Sequence, residues 1–136
     1  MSRLISDLGI IKPLQKALTD LEITVATEIQ EEVIPIILDG SEDIVALAKT
    51  GTGKTAAFGL PLIQLVDAEK NHIQTVILSP TRELSQQIFN NLKEFAKYIP
   101  EVSIVLLSGG NTVKSQIEEL KSNPQIIVAT PGRFLD

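Results

Sequence analysis

The stretch "DIVALAKTGTGKTAAFGLPLIQLV" (43–66) runs from an apolar segment through a glycine-rich turn into a second apolar segment. Its centre, "AKTGTGKT" (48–55), fits the phosphate-loop pattern of strand, glycine-rich turn, Lys-Thr and helix, with Ala48 where the first glycine often stands. Gly51 and Gly53 let backbone N–H groups approach an anion without a Cβ in the way. The helix that follows directs its positive end to the same place. The alternative is a flexible Gly/Thr loop that happens to contain a lysine, and it leaves the flanking strand and helix patterns unexplained.

The side chains of the loop predict its ligand. Lys54 can reach the β- and γ-phosphates of a nucleotide, and the Thr55 hydroxyl can bind Mg²⁺. These two residues are therefore the predicted catalytic residues, and Thr55 is the predicted metal ligand. The predicted phosphate contacts comprise the whole loop: Ala48, Lys49, Thr50, Gly51, Thr52, Gly53, Lys54 and Thr55.

Short apolar runs alternate with amphipathic segments after residue 43. The runs are rich in Val and Ile and apolar at nearly every position, which is typical of parallel strands covered on both faces. They lie at 43–48, 75–79, 102–108 and 125–130, with helical patterns at 81–99 and, more weakly, at 112–121. The alternation predicts an α/β fold, a parallel sheet flanked by helices.

Two helical segments carry more detailed predictions. The first 40 residues are predicted to be helical, with breaks near Gly9, Pro13, 24–27 and Gly40. In 81–99 the predicted apolar stripe consists of Leu84, Ile88, Leu92, Phe95 and Ile99.

Composition excludes several classes of protein. A chain of 136 residues forms one domain at most, and a net charge of −5 argues against a nucleic-acid binder held by a basic surface. The first 43 residues hold nine of the 17 acidic residues, most simply a solvated helical face. The absence of cysteine excludes disulfides and thiolate catalysis, and the lone His72 lies in a polar connection. No secretory signal or membrane-spanning run is present, so we expect a cytoplasmic protein.

Cleavage of a bound nucleotide requires more than the loop. A carboxylate for the metal usually stands at the end of a neighbouring strand, and another group orients the attacking water. The other predicted strands lead into "PTREL", "GGN" and "PGRF", none of which contains an acidic pair. We therefore expect these residues alone to bind nucleotide without hydrolysing it.

Five motifs follow one another in a specific order: "TEIQ" (27–30), "AKTGTGKT" (48–55), "PTRELS" (80–85), "SGG" (108–110) and "TPGR" (130–133). This series resembles the first RecA-like domain of DEAD-box RNA helicases over nearly the whole chain. The resemblance implies a helical N-terminal segment at 1–40 and a partial RecA-like P-loop NTPase domain at 41–136. It also implies an ATP-dependent RNA helicase in the complete protein, with ATP and Mg²⁺ as cofactors and RNA as partner.

The family pattern continues beyond residue 136. The resemblance implies that the acidic metal-binding strand, a Ser-Ala-Thr motif and a second RecA-like domain with an arginine finger would follow. In RecA-like sheets the strands of the first two motifs lie between the phosphate-loop strand and the other strands found here. The 136 residues alone are therefore expected to be marginally stable or to aggregate.

By the same resemblance, Gln30 reads the adenine edge, and an amide suits this task because it both donates and accepts. "TEIQ" is also a capping box, with Thr27 as N-cap, and both roles can hold at once. Ile5 takes the position where family members usually stack an aromatic ring on the base. Because stacking is worth about 1–3 kcal/mol per base in nucleic-acid binding, weaker adenine discrimination is expected. The expected base-side contacts are Ile5, Thr27 and Gln30.

The remaining motifs are implied to contact the RNA backbone, through exposed N–H groups, hydroxyls and arginines. Such contacts do not read bases, so sequence preference is expected to be low. Taken alone, "TPGR" is more simply a turn before a helix. Other open functions are a nucleotide-binding module and a small phosphate-loop kinase, which would leave "PTREL" and "TPGR" without a role. The expected RNA contacts are Pro80, Thr81, Arg82, Gly109, Gly110, Thr130, Gly132 and Arg133.

Overall fold

The computed structural model describes residues 3–40, 43–46, 53–107, 117, 121 and 123–131. They fall into two compact units, Met1–Leu65 with Glu94–Ile99, and Val66–Lys93 with Pro100–Asp136. None of the helices among these residues is both long and apolar enough to cross a bilayer. The elements are a 3-10 helix (Ile5–Leu8), α1 (Lys12–Asp20), α2 (Glu28–Asp39), α3 (Lys54–Leu65), β1 (Thr75–Leu78), α4 (Arg82–Phe95), β2 (Ile104–Leu107) and β3 (Ile126–Ala129).

A 3-10 helix, α1 and α2 lie between Ile5 and Asp39, as the helical pattern predicts, and the breaks between them have local causes. Gly9 ends the 3-10 helix with a left-handed φ of 93°, and Gly40 ends α2 with a φ of 72°. Pro13 lies within the first turn of α1, where its fixed φ suits the helix and its missing N–H has no intrahelical acceptor. α2 packs against α3. The largest fully buried side chains of the first unit, Met1–Leu65 with Glu94–Ile99, include Leu14, Leu18, Ile34, Leu60 and Ile63.

The parallel sheet is also confirmed. Its strand order is β1-β3-β2, so the last of the strands in the described residues lies between the other two. Ala129 of β3 stands opposite Leu78 of β1 and Leu107 of β2, which brings the carboxyl ends of the three strands together. β2 and β3 are buried along their whole length. They supply an apolar core cluster of the second unit, which consists of Val105, Leu107, Ile127 and Ala129.

Two strand predictions are wrong in part. The run at 43–48 is not a strand where the structure describes it, at 43–46, and Val45 is 92% exposed. No strand of the described sheet pairs with it, so the ladder hydrogen bonds that would hold it extended are not made. β1 is covered only in part, because Val76 and Leu78 are 40% and 53% exposed. β1 forms one edge of the described sheet, and its burial alternates as on a half-covered strand.

The stripe of α4 is shifted by one residue at its start. Ile88, Leu92 and Phe95 are buried as predicted, but Leu84 is 41% exposed and Ser85 is fully buried. Residues 85, 88, 92 and 95 follow the 3- and 4-residue spacing of one helical face. Leu84 lies one turn before Ile88 at the flank of this face, about 100° from Ser85, and stays exposed near the start of the helix. Ile99 lies beyond the helix. The predicted helix at 112–121 falls outside the described residues except at 117 and 121.

Candidate functional site

The start of α2 forms the predicted capping box. Thr27 is the N-cap, and its hydroxyl accepts a hydrogen bond from the backbone N–H of Gln30 at 3.4 Å. In return the side-chain Oε1 of Gln30 accepts from the backbone N–H of Thr27 at 3.0 Å. Two N–H groups that the helix leaves without partners are thereby satisfied, and the Gln30 side chain is folded back over the helix start.

The other end of the same amide reaches the phosphate loop. Gln30 Nε2 donates to the carbonyl oxygen of Gly53 at 3.2 Å, and that oxygen also accepts from the backbone N–H of Ala57 at 3.1 Å. Gln30 is 4% exposed. An amide side chain has two donor hydrogens and two acceptor lone pairs. Each of the two hydrogen bonds uses one site, so one donor hydrogen and one acceptor lone pair remain on this buried amide.

Gly53 is packed directly against the capping box. Its φ is +83°, and a Cβ at this position would lie 2.5 Å from Gln30 Nε2 and 3.1 Å from Thr27 Oγ1. Both the backbone conformation and the space therefore require glycine. Contact with α2 is therefore one reason for glycine at this position, besides the predicted approach of an anion.

Lys54 and Thr55 begin α3, with Lys54 exposed and Thr55 half-buried. Ala48, Lys49, Thr50, Gly51 and Thr52 lie outside the described residues, and their predicted phosphate contacts stay predictions. The Thr55 hydroxyl is an oxygen ligand of the kind Mg²⁺ prefers. No cluster of three or more His, Cys, Asp or Glu that could hold a metal occurs in the described part of the chain. The Thr55 hydroxyl thus fits as one protein ligand of a Mg²⁺ that would be bound together with nucleotide phosphates.

Ile5 lies beside the capping box, but its side chain faces the protein interior. The backbone N–H of Ile5 donates to Thr24 O at 2.9 Å, and that of Ala26 donates to Arg3 O at the same distance. A bridge between Leu4 and Val25 joins the two segments in antiparallel fashion. Ile5 is 2% exposed, so it offers almost no surface to a base in this structure. Its predicted role as a cover for the base stays a prediction.

Gln64 contributes to this unit and was not found by sequence analysis. Its Oε1 accepts from the backbone N–H of Ile11 at 3.0 Å, and its Nε2 donates to Gly9 O at 2.9 Å. The last turn of α3 is thereby joined to the turn that follows the 3-10 helix. A polar residue near the end of a helix is usually solvated, so no local pattern pointed to this pairing.

The second group of predicted residues lies at the carboxyl ends of the strands. The Thr81 hydroxyl caps α4 by accepting from Leu84 N–H at 3.2 Å, while Pro80 and Arg82 are exposed beside it. Beyond the strand ends, Ser79 N–H donates to Ala129 O at 3.0 Å and Thr130 N–H to Leu107 O at 3.3 Å. The structure therefore brings Pro80–Arg82 and Thr130 to the same edge of the sheet. Gly109, Gly110, Gly132 and Arg133 lie outside the described residues.

One charged cluster joins α1 to the residues that follow α4. Asp20 accepts a hydrogen bond from the Tyr98 hydroxyl and forms an ion pair with Lys97 Nζ at 2.8 Å. The Lys16 ammonium lies 4.4 Å from the centre of the Tyr98 ring. Hydrogen bonds from Lys97 and then Tyr98 lower the pKa of Asp20, and the hydrogen bond with Asp20 raises the pKa of both Lys97 and Tyr98. The cluster is solvent-exposed and contains none of the predicted site residues.

The comparisons with known proteins agree with this geometry. The model of the family "DEAD/DEAH box helicase" matches residues 27–136. The ATP-dependent RNA helicase DeaD of Klebsiella pneumoniae is 46% identical over 96% of this chain and 20% of its own length. The ATP-dependent RNA helicase CshA of Listeria monocytogenes is 44% identical over 96% of this chain and 25% of its own length. The chain thus spans about a fifth to a quarter of these relatives.

Two solved structures are also similar to this chain over nearly its whole length. A DEAD box protein from Methanococcus jannaschii superposes with a TM-score of 0.90 at 38% identity, over 98% of this chain and 36% of that one. Dbp5 of S. cerevisiae, solved bound to RNA and ADP BeF3, superposes with a TM-score of 0.88 at 31% identity, over 99% of this chain and 34% of that one.

Proposed function

Because this chain belongs to the DEAD/DEAH box helicase family, we propose that it supplies the nucleotide-binding part of an enzyme that opens RNA duplexes with ATP. The observation that carries this proposal is the hydrogen bond from Gln30 to Gly53. It joins the motif that the family resemblance assigns to adenine with the loop that the sequence assigns to phosphates. A base and its phosphates can therefore be held at one site.

Each group in the proposed ATP site has a separate task. Gln30 would offer its remaining donor and acceptor to the adenine edge, and the loop 48–55 would enclose the phosphates. Lys54 would offset charge on the β- and γ-phosphates from the start of α3, where the helix N-terminus also favours an anion. Thr55 would hold Mg²⁺, which when bound would neutralise charge on the phosphates.

The proposed RNA site is the surface at the carboxyl ends of β1, β2 and β3. Thr81 already accepts a hydrogen bond as the cap of α4, and its O–H remains able to donate to a phosphate. Arg82 is exposed at the first position of α4, where the N-terminus of a 14-residue helix adds to the attraction. These groups would grip the backbone of a strand without reading its bases. Gly109, Gly110, Thr130, Gly132 and Arg133 are proposed for the same task.

The proposed domain organisation is a helical segment at 1–40 that carries the adenine motif, followed by RecA-like sequence at 41–136. We further propose that turnover requires a second RecA-like domain, with ATP bound between the two domains. The proposed location is the cytoplasm, a reducing compartment with which a cysteine-free composition agrees.

RNA-stimulated ATP hydrolysis by the protein in its full natural length tests the proposal. Lys54→Ala is expected to lower the rate by a factor of about 10²–10³, the usual cost of losing one electrostatic contact to the transition state. Lys70→Ala is the matched control, because Lys70 is an exposed lysine outside the proposed sites. A Lys54→Ala protein as active as the control, or a wild-type protein without ATPase activity, would contradict the proposal.

A second candidate applies to these 136 residues taken alone, namely nucleotide binding without turnover. Among the described strand ends, β1 leads into Ser79 and Pro80 and β3 leads into Thr130, and none of these is a carboxylate. No metal-binding acid at a strand end is therefore available in that part of the chain. Hydrolysis by a polypeptide of residues 1–136 would rule this candidate out.

A further inference from the structure

The amide of Gln64 holds a turn of the main chain from two sides. It accepts from Ile11 N–H at 3.0 Å and donates to Gly9 O at 2.9 Å. Gly9 has a left-handed φ of +93° and ends the 3-10 helix Ile5–Leu8. The two hydrogen bonds thus fix the point at which the chain leaves that helix.

The other end of the 3-10 helix leads back to the phosphate loop. Ile5 N–H is bonded to Thr24 O, and Ala26 N–H to Arg3 O. The next residues are the capping box, whose Gln30 donates to Gly53 O immediately before α3. These contacts form a closed ring that begins at the last turn of α3 and returns to Gly53, immediately before its first residue.

α3 separates the two points of attachment. It has 12 residues and is therefore about 18 Å long. At the start of α3, Gln30 donates a hydrogen bond to Gly53. At the end of α3, Gln64 bonds only to Gly9 and Ile11, which follow the 3-10 helix that contains Ile5. A change at Gln64 should consequently loosen the 3-10 helix and, through the hydrogen bonds of Ile5 and Ala26, the segment that leads into the capping box, while the start of α3 stays in place.

We propose that Gln64 is a positioning residue for recognition of the nucleotide base, acting through the 3-10 helix that it anchors to α3. This inference rests on the proposed nucleotide-binding function. The side chain of Gln64 bonds to Gly9 and Ile11, and neither bond reaches the proposed phosphate-binding residues Gly53, Lys54 and Thr55. Its effect is therefore on discrimination between bases and not on the chemistry at the phosphates.

The test is equilibrium binding of ADP, GDP and pyrophosphate to the protein in its full natural length, measured by calorimetry. Gln64→Met keeps the length of the side chain and removes both hydrogen bonds. We expect about fivefold weaker ADP binding, the equivalent of roughly one net hydrogen bond. Pyrophosphate affinity is expected to stay within about twofold of wild type, and the preference for ADP over GDP to fall. Gln64→Glu, which can still accept from Ile11 but cannot donate to Gly9, should lie between the two.

The matched control is Gln86→Met on α4, whose amide donates to Asn90 Oδ1 at 3.0 Å on an exposed helix surface. It should leave all three affinities unchanged. Equal weakening of ADP and pyrophosphate by Gln64→Met would indicate a purely structural role and overturn the inference, as would unchanged ADP binding.

Hydrogen exchange without nucleotide separates this inference from the proposed function. In Gln64→Met the amides of Ile5 and Ala26 should exchange faster than in wild type, while those of α2 keep their rates. Unchanged exchange at both amides would overturn the inference. If the wild-type protein binds neither ADP nor pyrophosphate, the proposed function and the role of Gln64 in base recognition both fail, and the exchange rates then show only whether Gln64 anchors the 3-10 helix.

Discussion

Gly53 shows how a single residue serves two structures. Its carbonyl oxygen accepts from both Gln30 and Ala57, and its Cα faces the capping box with no room for a methyl group. The glycine in the phosphate-loop pattern is usually explained by ligand approach alone. Here it is also required by α2, so its replacement should disturb the adenine motif and the loop together.

Gly53→Ala is expected to weaken nucleotide binding by about tenfold or more, because the new Cβ would displace the Gln30 amide or the loop. Gly40→Ala is the matched control. Gly40 has a similar left-handed φ of +72°, but its nearest atom to an added Cβ is Ile37 O at 4.0 Å. The control should cost about 1–2 kcal/mol of stability from backbone strain and leave nucleotide affinity unchanged. Calorimetric titration with ADP checks both variants, and equal effects on affinity would refute the packing explanation.

Gln30 illustrates a residue with two compatible roles. The sequence pattern predicts the capping box, and the structure contains both of its hydrogen bonds. The adenine role comes from the family resemblance and stays a prediction, supported by the donor and acceptor that the cap leaves available. Ser85 differs from Gln30 because its side chain makes no hydrogen bond to the described residues, although its hydroxyl is buried. An unpaired buried hydroxyl costs about 1–3 kcal/mol.

At the scale of elements, the cluster of Asp20, Lys97 and Tyr98 attaches α1 to the residues after α4. Hydrogen bonds from Lys97 and Tyr98 lower the pKa of Asp20. The stability that Asp20 contributes is therefore present above its ordinary pKa and is lost as pH falls through the lowered value. The hydrogen bond with Asp20 raises the pKa of Lys97 and Tyr98, so their contribution is present below their ordinary values and is lost as pH rises through the raised ones.

Asp20→Asn is accordingly expected to remove a small stabilisation that is largest between about pH 5 and 9. The effect should shrink in high salt because the pair is exposed, with 42% and 37% of the Lys97 and Asp20 side chains accessible. Urea unfolding at a series of pH values measures it. Asp43→Asn, in the exposed segment 43–46, is the control. Parallel pH profiles for Asp20→Asn and wild type would contradict the expectation.

At the scale of the whole molecule, apolar side chains remain uncovered in both units. Val45 is 92% exposed, and Val76 and Leu78 on β1 are 40% and 53% exposed. Within the described sheet β1 pairs only with β3. A strand edge with exposed apolar side chains is a template for association with other chains.

A polypeptide of residues 1–136 made in isolation is therefore expected to self-associate at micromolar concentration or to unfold without a single cooperative transition. Sedimentation and urea unfolding measure the two properties. Leu78→Lys should reduce association, since a charge on an edge strand opposes pairing. A monomer that unfolds in one cooperative step would contradict this expectation.

Local patterns in the sequence determined the α/β class, three of the four predicted strands, the capping box at Thr27 and Gln30, and the motif series that identifies the family. Each single strand, cap and motif among these depends on residues close together in the chain, where periodicity and capping chemistry act directly, and their order along the chain gives the class and the family. Only the tertiary structure decided that β3 lies between β1 and β2, that β1 is half-covered and that residues 43–46 are not a strand. It alone also joined Gln30 to Gly53, 23 residues away, and Gln64 to Gly9 and Ile11, 55 and 53 residues away. Hydrophobic periodicity indicates which face of a helix or strand is buried, but it does not indicate which other element packs against that face. Such contacts are therefore decided only when the elements pack.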